Sequence, residues 1–201
     1  MTITLIIIVI TCLVSFAAFS NAELLQRLIL WPPAIARRKE YHRLVTYGLI
    51  HADGGHLLFN MVTLYFFGRV MEPLFVSRIG VIGYALFYVG ALVMSILPTY
   101  MQNRENPDYH SLGASGAVSA ILFAFILVQP WSLIFVFFLP VPAIIYAALY
   151  IGYSIYMDRA RKDNVNHSAH LWGAAYGVAV LLVIEPAVLR VFFERLAHPS
   201  F

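Results

Sequence analysis

Residues 115–128 read SGAVSAILFAFILV, a run that contains no charged side chain. It lies in a chain of 201 residues, of which 61% are hydrophobic and only 11% are charged. A soluble domain carries roughly 25% charged residues. The deficit of charge predicts that this chain folds in a lipid bilayer, where apolar side chains can face the surrounding lipid.

Apolar runs of similar length recur along the chain. A helix needs about 20 apolar residues to cross a bilayer, and the sequence predicts six spans at residues 3–19, 56–71, 79–97, 115–128, 131–156 and 168–184. The first run lacks a basic leader, which favours a retained span over a signal peptide. We therefore predict an all-α membrane protein, built as one compact six-helix bundle over residues 1–201.

The connections between the spans carry further information. Pro140 and Pro142 predict a bend or a thinned helix within the fifth span. The long loop after the first span contains the apolar stretch Leu24–Leu30, which predicts short helices lying in the membrane interface. The net charge is only +3 and the basic residues fall in predicted loops, so lipid headgroups explain them better than nucleic acid does.

Polar residues gather where three of the predicted spans begin. His56 and Asn60 lie at the start of the second span, Ser115 at the start of the fourth and His170 at the start of the sixth. Alternate spans of a helical bundle enter the membrane from the same side. These four side chains are therefore predicted to lie at a similar depth and to converge.

Ser115 and His170 carry the chemistry that this convergence suggests. A serine hydroxyl is a poor nucleophile until a base takes its proton, and imidazole titrates near neutral pH. Gly113 and Gly116 leave room for a substrate beside the hydroxyl. Glu185 is about four helical turns from His170, so no acidic residue is positioned to complete a triad. We predict a Ser-His dyad, which needs neither a metal ion nor a cofactor.

The remaining polar and small residues fit the same scheme. Gly173 and Gly177 form a small-residue stripe that allows close helix contact, which would bring the sixth span against the fourth. His56 and Asn60 are one turn apart and share a helical face. Two hydrogen-bond donors there could stabilise the oxyanion of an acyl-transfer intermediate.

Each feature also has an ordinary structural interpretation when taken alone. Ser115 could be a helix N-cap, His170 could form an interhelical hydrogen bond, and His56 and Asn60 could satisfy loop backbone near the interface. The coincidence of all these groups at one depth favours catalysis.

The motifs that carry these residues resemble those of the rhomboid intramembrane protease family. They are His-x-x-x-Asn at 56–60, Gly-Ala-Ser-Gly at 113–116 and Ala-His-x-x-Gly-x-x-x-Gly at 169–177. The resemblance covers nearly the whole chain and implies an intramembrane serine endopeptidase that cleaves transmembrane proteins. It implies that Ser115 is the nucleophile and His170 the base, and that the Ser115 N–H, His56 and Asn60 form the oxyanion hole.

The resemblance extends to four residues that we interpret as structural. Arg43 resembles the arginine of the family's first-loop signature, and His51 resembles a histidine that ties that loop together. Gly68 and Glu72 resemble a Gly-x-x-x-Glu feature at the far end of the second span.

One position departs from the family pattern. The family often has an aromatic residue one turn after the serine, stacked on the catalytic histidine, and this chain has Ser119 there. The sequence leaves Trp172 or Tyr176 as an aromatic that could support His170 instead.

Three alternatives compete with the protease. A rhomboid-fold pseudoprotease would bind membrane proteins without cutting them, although both Ser115 and His170 are present. A small transporter or channel would need polar residues along the depth of several helices. A metal site made from His51, His56 and His170 has no His-Glu-x-x-His spacing to support it. The sequence does not specify an oligomeric state.

Two arguments give opposite predictions for the side of the membrane that the site faces. The family resemblance places the site on the extracytoplasmic side, and the minimal form suits a bacterial inner membrane. The basic residues of the loops on the site's side are Arg27, Arg37, Arg38, Lys39, Arg43, Arg104, Arg159, Arg161 and Lys162, and those of the other side are Arg69, Arg78, Arg190 and Arg195. The positive-inside rule alone would invert the protein. We expect the family orientation.

Overall fold

A computed structural model describes residues 2–136, 138–160, 162–163 and 165–199, and most of these residues are helical. The helices are α1 (Ile3–Phe19), α2 (Ala22–Leu28), α3 (Pro32–Arg38), α4 (Arg43–Thr46), α5 (Gly54–Thr63), α6 (Arg69–Gln102), α7 (Ser115–Val128), α8 (Ala143–Ala160), α9 (His167–Ile184) and α10 (Ala187–Ala197). Strands β1 (Leu133–Val136) and β2 (Leu139–Pro142) form an antiparallel hairpin. Arg161 lies outside the described residues.

Helix α7 occupies the centre of the structure. Every residue from Gly116 to Leu127 is buried, as expected for a helix that is apolar on all its faces. Ser115 is the first residue of this helix. The nucleophile predicted from the sequence therefore lies at the N-terminal end of the most enclosed element.

Helices α5 and α6 are joined by a π-helical turn at Leu64–Gly68 and form one helical stretch that is broken at Gly80. Gly80 has φ 74°, a backbone conformation that glycine adopts without a steric penalty. The Phe75 and Phe87 ring centroids are 4.3 Å apart, whereas twelve residues of straight helix would separate them by about 18 Å. The chain therefore reverses at Gly80.

The predicted limits of the second and third spans were wrong. The sequence analysis ended the second span near Met71, before Pro73, and the third at Leu97, before Pro98. Both prolines lie inside α6. Membrane helices tolerate proline where neighbouring groups satisfy the freed backbone carbonyl. The turn lies at Gly80 because only that residue takes a positive φ in this stretch.

The predicted fifth span, 131–156, also differs from the structure. Its first part forms the β1–β2 hairpin, and the helix α8 begins only at Ala143 and continues to Ala160. Pro140 and Pro142 lack the N–H that a helix interior needs, whereas an edge strand accommodates proline. The two prolines therefore mark a change of structure and not a bend.

The N-terminus of α1 is held by Glu72. Its carboxylate accepts hydrogen bonds from the backbone N–H groups of Ile3 at 2.7 Å and Thr4 at 3.0 Å. A carboxylate at this position satisfies free N–H groups and complements the helix dipole. A Cβ on Gly68 would lie 2.7 Å from the Thr4 side chain, so Gly68 allows α1 to pack at this point.

The first loop packs as a small folded unit around Arg43. Arg43 is 7% exposed, and its guanidinium pairs with the Glu40 carboxylate at 2.6 Å. It also donates hydrogen bonds to the carbonyl oxygens of Gln26 and Ile29. Arg43 thus ties α2 to α4, in agreement with a structural role.

Two described helical segments are long and apolar enough to cross a bilayer by length and composition, 54–102 and 167–184. The first would be about 70 Å long if straight, and the reversal at Gly80 divides it into two arms. Ile3–Phe19 and Ser115–Val128 are shorter apolar helices. The count of six membrane spans stays a prediction.

Candidate active site

Ser115 and His170 are in direct contact. Ser115 begins α7 and His170 lies in the first turn of α9. The Nε2 atom of His170 is 2.8 Å from Oγ of Ser115, within hydrogen-bonding distance. A neutral imidazole can accept the hydroxyl proton over this distance, which is the geometry that a base and its nucleophile require.

The contact exists because α7 and α9 pack backbone to backbone. A Cβ on Gly173 would overlap the carbonyl oxygen of Gly116, and a Cβ on Gly177 would overlap that of Ala120. Only glycine allows this approach. The small-residue stripe predicted from the sequence therefore sets the distance between Ser115 and His170.

His56 and Asn60 lie on α5 beside the same serine. A Cβ on Gly113 would lie 2.7 Å from Cε1 of His56, so the ring rests against the glycine two residues before Ser115. Gly113 also has φ 110°, which disfavours any side chain there. Asn60 is 4% exposed, and its Nδ2 donates a hydrogen bond to the carbonyl oxygen of His56 at 3.0 Å. The second N–H of that amide is left for another acceptor.

These four residues line one cavity. It has a volume of about 580 Å³, and its wall includes His56, Asn60, Ser115 and His170. The structure thus brings together all the residues that the sequence predicted for the site.

His51 connects the site to α1. Its Nε2 accepts a hydrogen bond from the backbone N–H of Ala114 at 3.4 Å, and its Nδ1 lies 3.0 Å from Oγ of Ser15. The Ser15 hydroxyl donates to the carbonyl oxygen of Leu49, so Nδ1 must carry the proton. Burial lowers the pKa of His51 to about 4, which matches a neutral ring. The sequence predicted a role for His51 within the first loop but did not indicate its link to Ala114.

Asn166 fixes the start of α9, and the sequence analysis did not identify it. Its Oδ1 accepts hydrogen bonds from the Ala169 N–H at 2.9 Å and the Thr99 hydroxyl at 3.2 Å. Its Nδ2 donates to the Tyr109 hydroxyl. An Asn before a helical histidine motif is an N-cap signal that could have been read from the sequence.

The aromatic partner of His170 is neither Trp172 nor Tyr176, the two residues that the sequence offered. Trp172 is 52% exposed, and Tyr176 stacks on Phe87 at 5.6 Å. Tyr150 of α8 stacks on the imidazole instead, with ring centroids 6.0 Å apart and an angle of 26° between the planes. Nothing in the local sequence distinguishes Tyr150 from the other tyrosines of that helix.

The side chain of His167 lies between the carboxylate of Asp163 and the imidazole of His170. The ring of His167 meets that of His170 edge to face at 5.7 Å, and its Nε2 is 3.2 Å from the Asp163 carboxylate. Burial alone raises the pKa of Asp163, but hydrogen bonds from His167 and the Val165 N–H outweigh it and hold the pKa below its usual value. The spacing of His167 and His170, on one face of a helix, could have drawn attention to this pair.

The metal-site alternative requires three ligating side chains to converge. Across the described parts of the chain, no group of three or more His, Cys, Asp or Glu side chains is arranged to hold a metal ion. His51 and His56 do contact one another, with ring centroids 4.9 Å apart.

Comparison with known proteins identifies what this chain resembles. Residues 38–186 match the family described as Rhomboid domain. The chain is 36% identical over 146 residues to RHOMBOID-like protein 12, mitochondrial, of Arabidopsis thaliana, a match that covers 67% of this chain and 44% of that protein. It is also 35% identical over 79 residues to YdcA, a candidate rhomboid protease of Bacillus subtilis (strain 168). This match covers 39% of the chain and 37% of that protein. The matches span less than half the length of each relative.

Proposed function

We propose, from the premise that this chain belongs to the rhomboid family, that it is an intramembrane serine endopeptidase. The observation that carries the proposal is the 2.8 Å contact between Nε2 of His170 and Oγ of Ser115. A second supporting observation is that this contact faces a cavity whose wall also includes the polar side chains of His56 and Asn60. Polar groups placed in this way within a membrane protein are functional by default.

The proposed reaction begins at Ser115. His170 takes the hydroxyl proton as Oγ attacks the carbonyl carbon of the scissile peptide bond, which gives a tetrahedral oxyanion and an imidazolium. The imidazolium then donates its proton to the leaving amine, and the bond to nitrogen breaks to leave an acyl-enzyme. A water molecule, deprotonated by His170, attacks the acyl carbon to give a second tetrahedral intermediate. The bond between that carbon and Oγ of Ser115 then breaks, the imidazolium returns its proton to Oγ, and the carboxylic acid product leaves.

The oxyanion would be stabilised by three groups. As the first residue of α7, Ser115 has a backbone N–H that the helix leaves unpaired, and the helix dipole favours negative charge at that end. His56 and the free N–H of the Asn60 amide supply the other donors. Fixed donors in a site poor in water stabilise developing charge without reorganising.

The base acts without a carboxylate in direct contact. Among the residues that the structure describes, the imidazole of His170 hydrogen-bonds to Ser115, and its ring is flanked by Tyr150 and His167. We propose a catalytic dyad in which packing orients the imidazole. Neither a metal ion nor a cofactor enters the proposed reaction.

The proposed substrates are proteins with a transmembrane helix. The cavity lies among apolar helices, so a segment already in the bilayer can reach it by lateral diffusion. We propose that α1, the two arms of residues 54–102, α7, α8 and α9 are the six spans, and that the protein resides in a bacterial inner membrane with the cavity toward the extracytoplasmic side.

The test is labelling of the purified, detergent-solubilised protein with a fluorophosphonate, together with cleavage of a reporter transmembrane protein in proteoliposomes. Wild type is expected to be labelled and to cleave, and both signals are expected to vanish in Ser115→Ala. His170→Ala should lose nearly as much activity, because residues that act as a unit are not additive. Ser77→Ala is the control, since this exposed serine lies outside the site.

The outcomes separate the two candidate functions. Labelling and cleavage that persist in Ser115→Ala would refute Ser115 as the nucleophile. A folded wild-type protein that binds the reporter but is neither labelled nor able to cleave it would identify a pseudoprotease.

A further inference from the structure

Tyr150 fills the position that the small side chain of Ser119 leaves open. Ser119 is one turn after Ser115 on α7 and is 3% exposed, and its hydroxymethyl group is too short to cover the imidazole of His170. Tyr150 reaches this place from α8 and stacks on His170. Its ring also packs against Phe123 at 5.4 Å, so the ring is held on two sides.

Tyr150 is bonded to the backbone of the nucleophile through Ser119. The Ser119 hydroxyl donates a hydrogen bond to the carbonyl oxygen of Ser115 at 2.8 Å. The Tyr150 and Ser119 oxygens are 2.7 Å apart, and since the Ser119 proton is already used, Tyr150 is the donor. The result is a directed chain from the Tyr150 O–H through Ser119 to the Ser115 carbonyl, in which each bond polarises the next.

We propose that Tyr150 is the positioning residue for His170 and that Ser119 is its docking point on the helix of the nucleophile. The inference rests on the proposed function. One face of the imidazole is covered by the Tyr150 ring, which restricts rotation of the base away from Ser115. When the ring becomes imidazolium, the tyrosine face also attracts its charge.

This arrangement makes the base depend on a third helix. Ser115 lies on α7 and His170 on α9, whereas Tyr150 lies on α8, so the imidazole is correctly held only when α8 is packed against both. The opposite face of α8 is open, since nothing lies within 4 Å of the Cβ position of Gly152 and Ile145 is 47% exposed. The stack therefore couples the docking of a lipid-exposed helix to the orientation of the catalytic base.

The test is steady-state cleavage by three variants, with fluorophosphonate labelling measured in parallel. Tyr150→Leu keeps apolar volume but removes the ring, and kcat is expected to fall at least about ten-fold, a change of about 1.4 kcal/mol in activation free energy, while KM changes less than about two-fold. Tyr150→Phe keeps the ring and should retain most of the activity. Tyr156→Leu, an exposed tyrosine on the same helix, should match wild type.

A swap of the two side chains keeps the proposal testable if Tyr150→Leu folds poorly. Ser119→Tyr alone is expected to lose most activity, because Tyr150 already occupies the space. Adding Tyr150→Ser should raise kcat at least about ten-fold above Ser119→Tyr, since the new ring can then cover His170 from α7.

The result that overturns the proposal is distinct from failure of the proposed function. Wild-type kcat in Tyr150→Leu, or a double variant no better than Ser119→Tyr, would refute the positioning role while the protease stands. Absence of labelling and cleavage in the wild type would refute the protease itself.

Discussion

The backbone N–H of Ala114 donates a hydrogen bond to Nε2 of His51, with 3.4 Å between the two atoms. Ala114 immediately precedes Ser115, so the imidazole of His51 holds the turn from which Ser115 projects. His51→Leu would leave this buried N–H unpaired, a loss of about 1–3 kcal/mol. We expect lower thermal stability in detergent and cleavage reduced about ten-fold or more. His198→Leu, at an exposed site, is the control, and equal behaviour of the two variants would contradict the role of His51.

The same histidine predicts a dependence of stability on pH. Burial and, to a smaller extent, the nearby His56 lower the pKa of His51 from 6.5 to about 4, although Asp53 opposes both effects. Its contribution to stability is complete above pH 6.5, where the ring is neutral in both states. It is lost as pH falls from 6.5 towards 4, because only the unfolded chain then binds the proton.

Denaturant unfolding between pH 4 and pH 8 measures this contribution. Wild type should lose stability below pH 6.5 more steeply than His51→Gln, by up to about 1.4 kcal/mol per pH unit. The glutamine has a hydrogen-bond acceptor that does not titrate in this range. Parallel curves for the two proteins would show that His51 does not titrate as the structure indicates.

Asn60→Ala is expected to lower kcat with little change in KM. Loss of one fixed oxyanion donor typically costs about 10²–10³ in kcat, and the loss is partial where other donors remain. The matched control is Asn103→Ala, because the Asn103 amide likewise donates to the carbonyl oxygen four residues earlier, at 2.9 Å. Steady-state kinetics of both variants checks the assignment. A change confined to KM or to thermal stability would contradict the oxyanion role.

The glycine stripe of α9 predicts a sharp contrast between two glycines. A Cβ on Gly177 would overlap the Ala120 carbonyl oxygen, whereas a Cβ on Gly152 meets nothing within 4 Å. Gly177→Ala should cost about 1–3 kcal/mol through overpacking and reduce cleavage, because α9 carries His170 away from Ser115. Gly152→Ala should be neutral or stabilise by up to about 1 kcal/mol through helix propensity. Melting temperatures in detergent compare the two.

The convergence of His56, Asn60, Ser115 and His170 could be predicted from the sequence, because it follows from counting apolar runs and from the alternation of antiparallel helices. Tyr150 could not be predicted in this way. It is 31 residues from Ser119 and shares its helix with Tyr146, Tyr153 and Tyr156. The polar side chains of this largely apolar helix do not recur with a helical period, so the sequence pattern does not show which tyrosine faces the site.

The elements that the sequence analysis placed wrongly share a physical reason. Hydropathy does not distinguish an apolar hairpin from an apolar helix, so residues 133–142 were assigned to a span. Proline is a stronger sequence signal than glycine, so the second span was ended before Pro73 and the connection was placed at residues 72–78, whereas the turn lies at Gly80. In each case the backbone preferences of individual residues decided the local structure, and hydropathy averaged over the apolar run did not show them.

The family resemblance and the positive-inside rule predict opposite orientations of the protein in the membrane. Helix α1 begins and helix α9 ends at the end of the bundle opposite the cavity, since Ile3 contacts Glu72 and α9 runs from His170 away from the site. The positive-inside rule places the more basic cavity side in the cytoplasm. However, Arg43 is buried against Glu40, and Arg27 pairs with Glu23 at 2.5 Å, so part of the basic count is engaged within the protein. We expect the cavity to face the extracytoplasmic side.

Two single-cysteine variants test the orientation in intact cells. Cys12 is the one cysteine of the chain, so a Cys12→Ser background allows a new cysteine to be labelled alone. Asn106→Cys, in the loop between α6 and α7, should react with a membrane-impermeant maleimide. Ser77→Cys, near the opposite end of the bundle, should react only after the cells are permeabilised. A reporter fused to the C-terminus should accordingly be active in the cytoplasm. The reverse labelling pattern, in a variant that still cleaves the reporter substrate, would show that the charge count determines the topology.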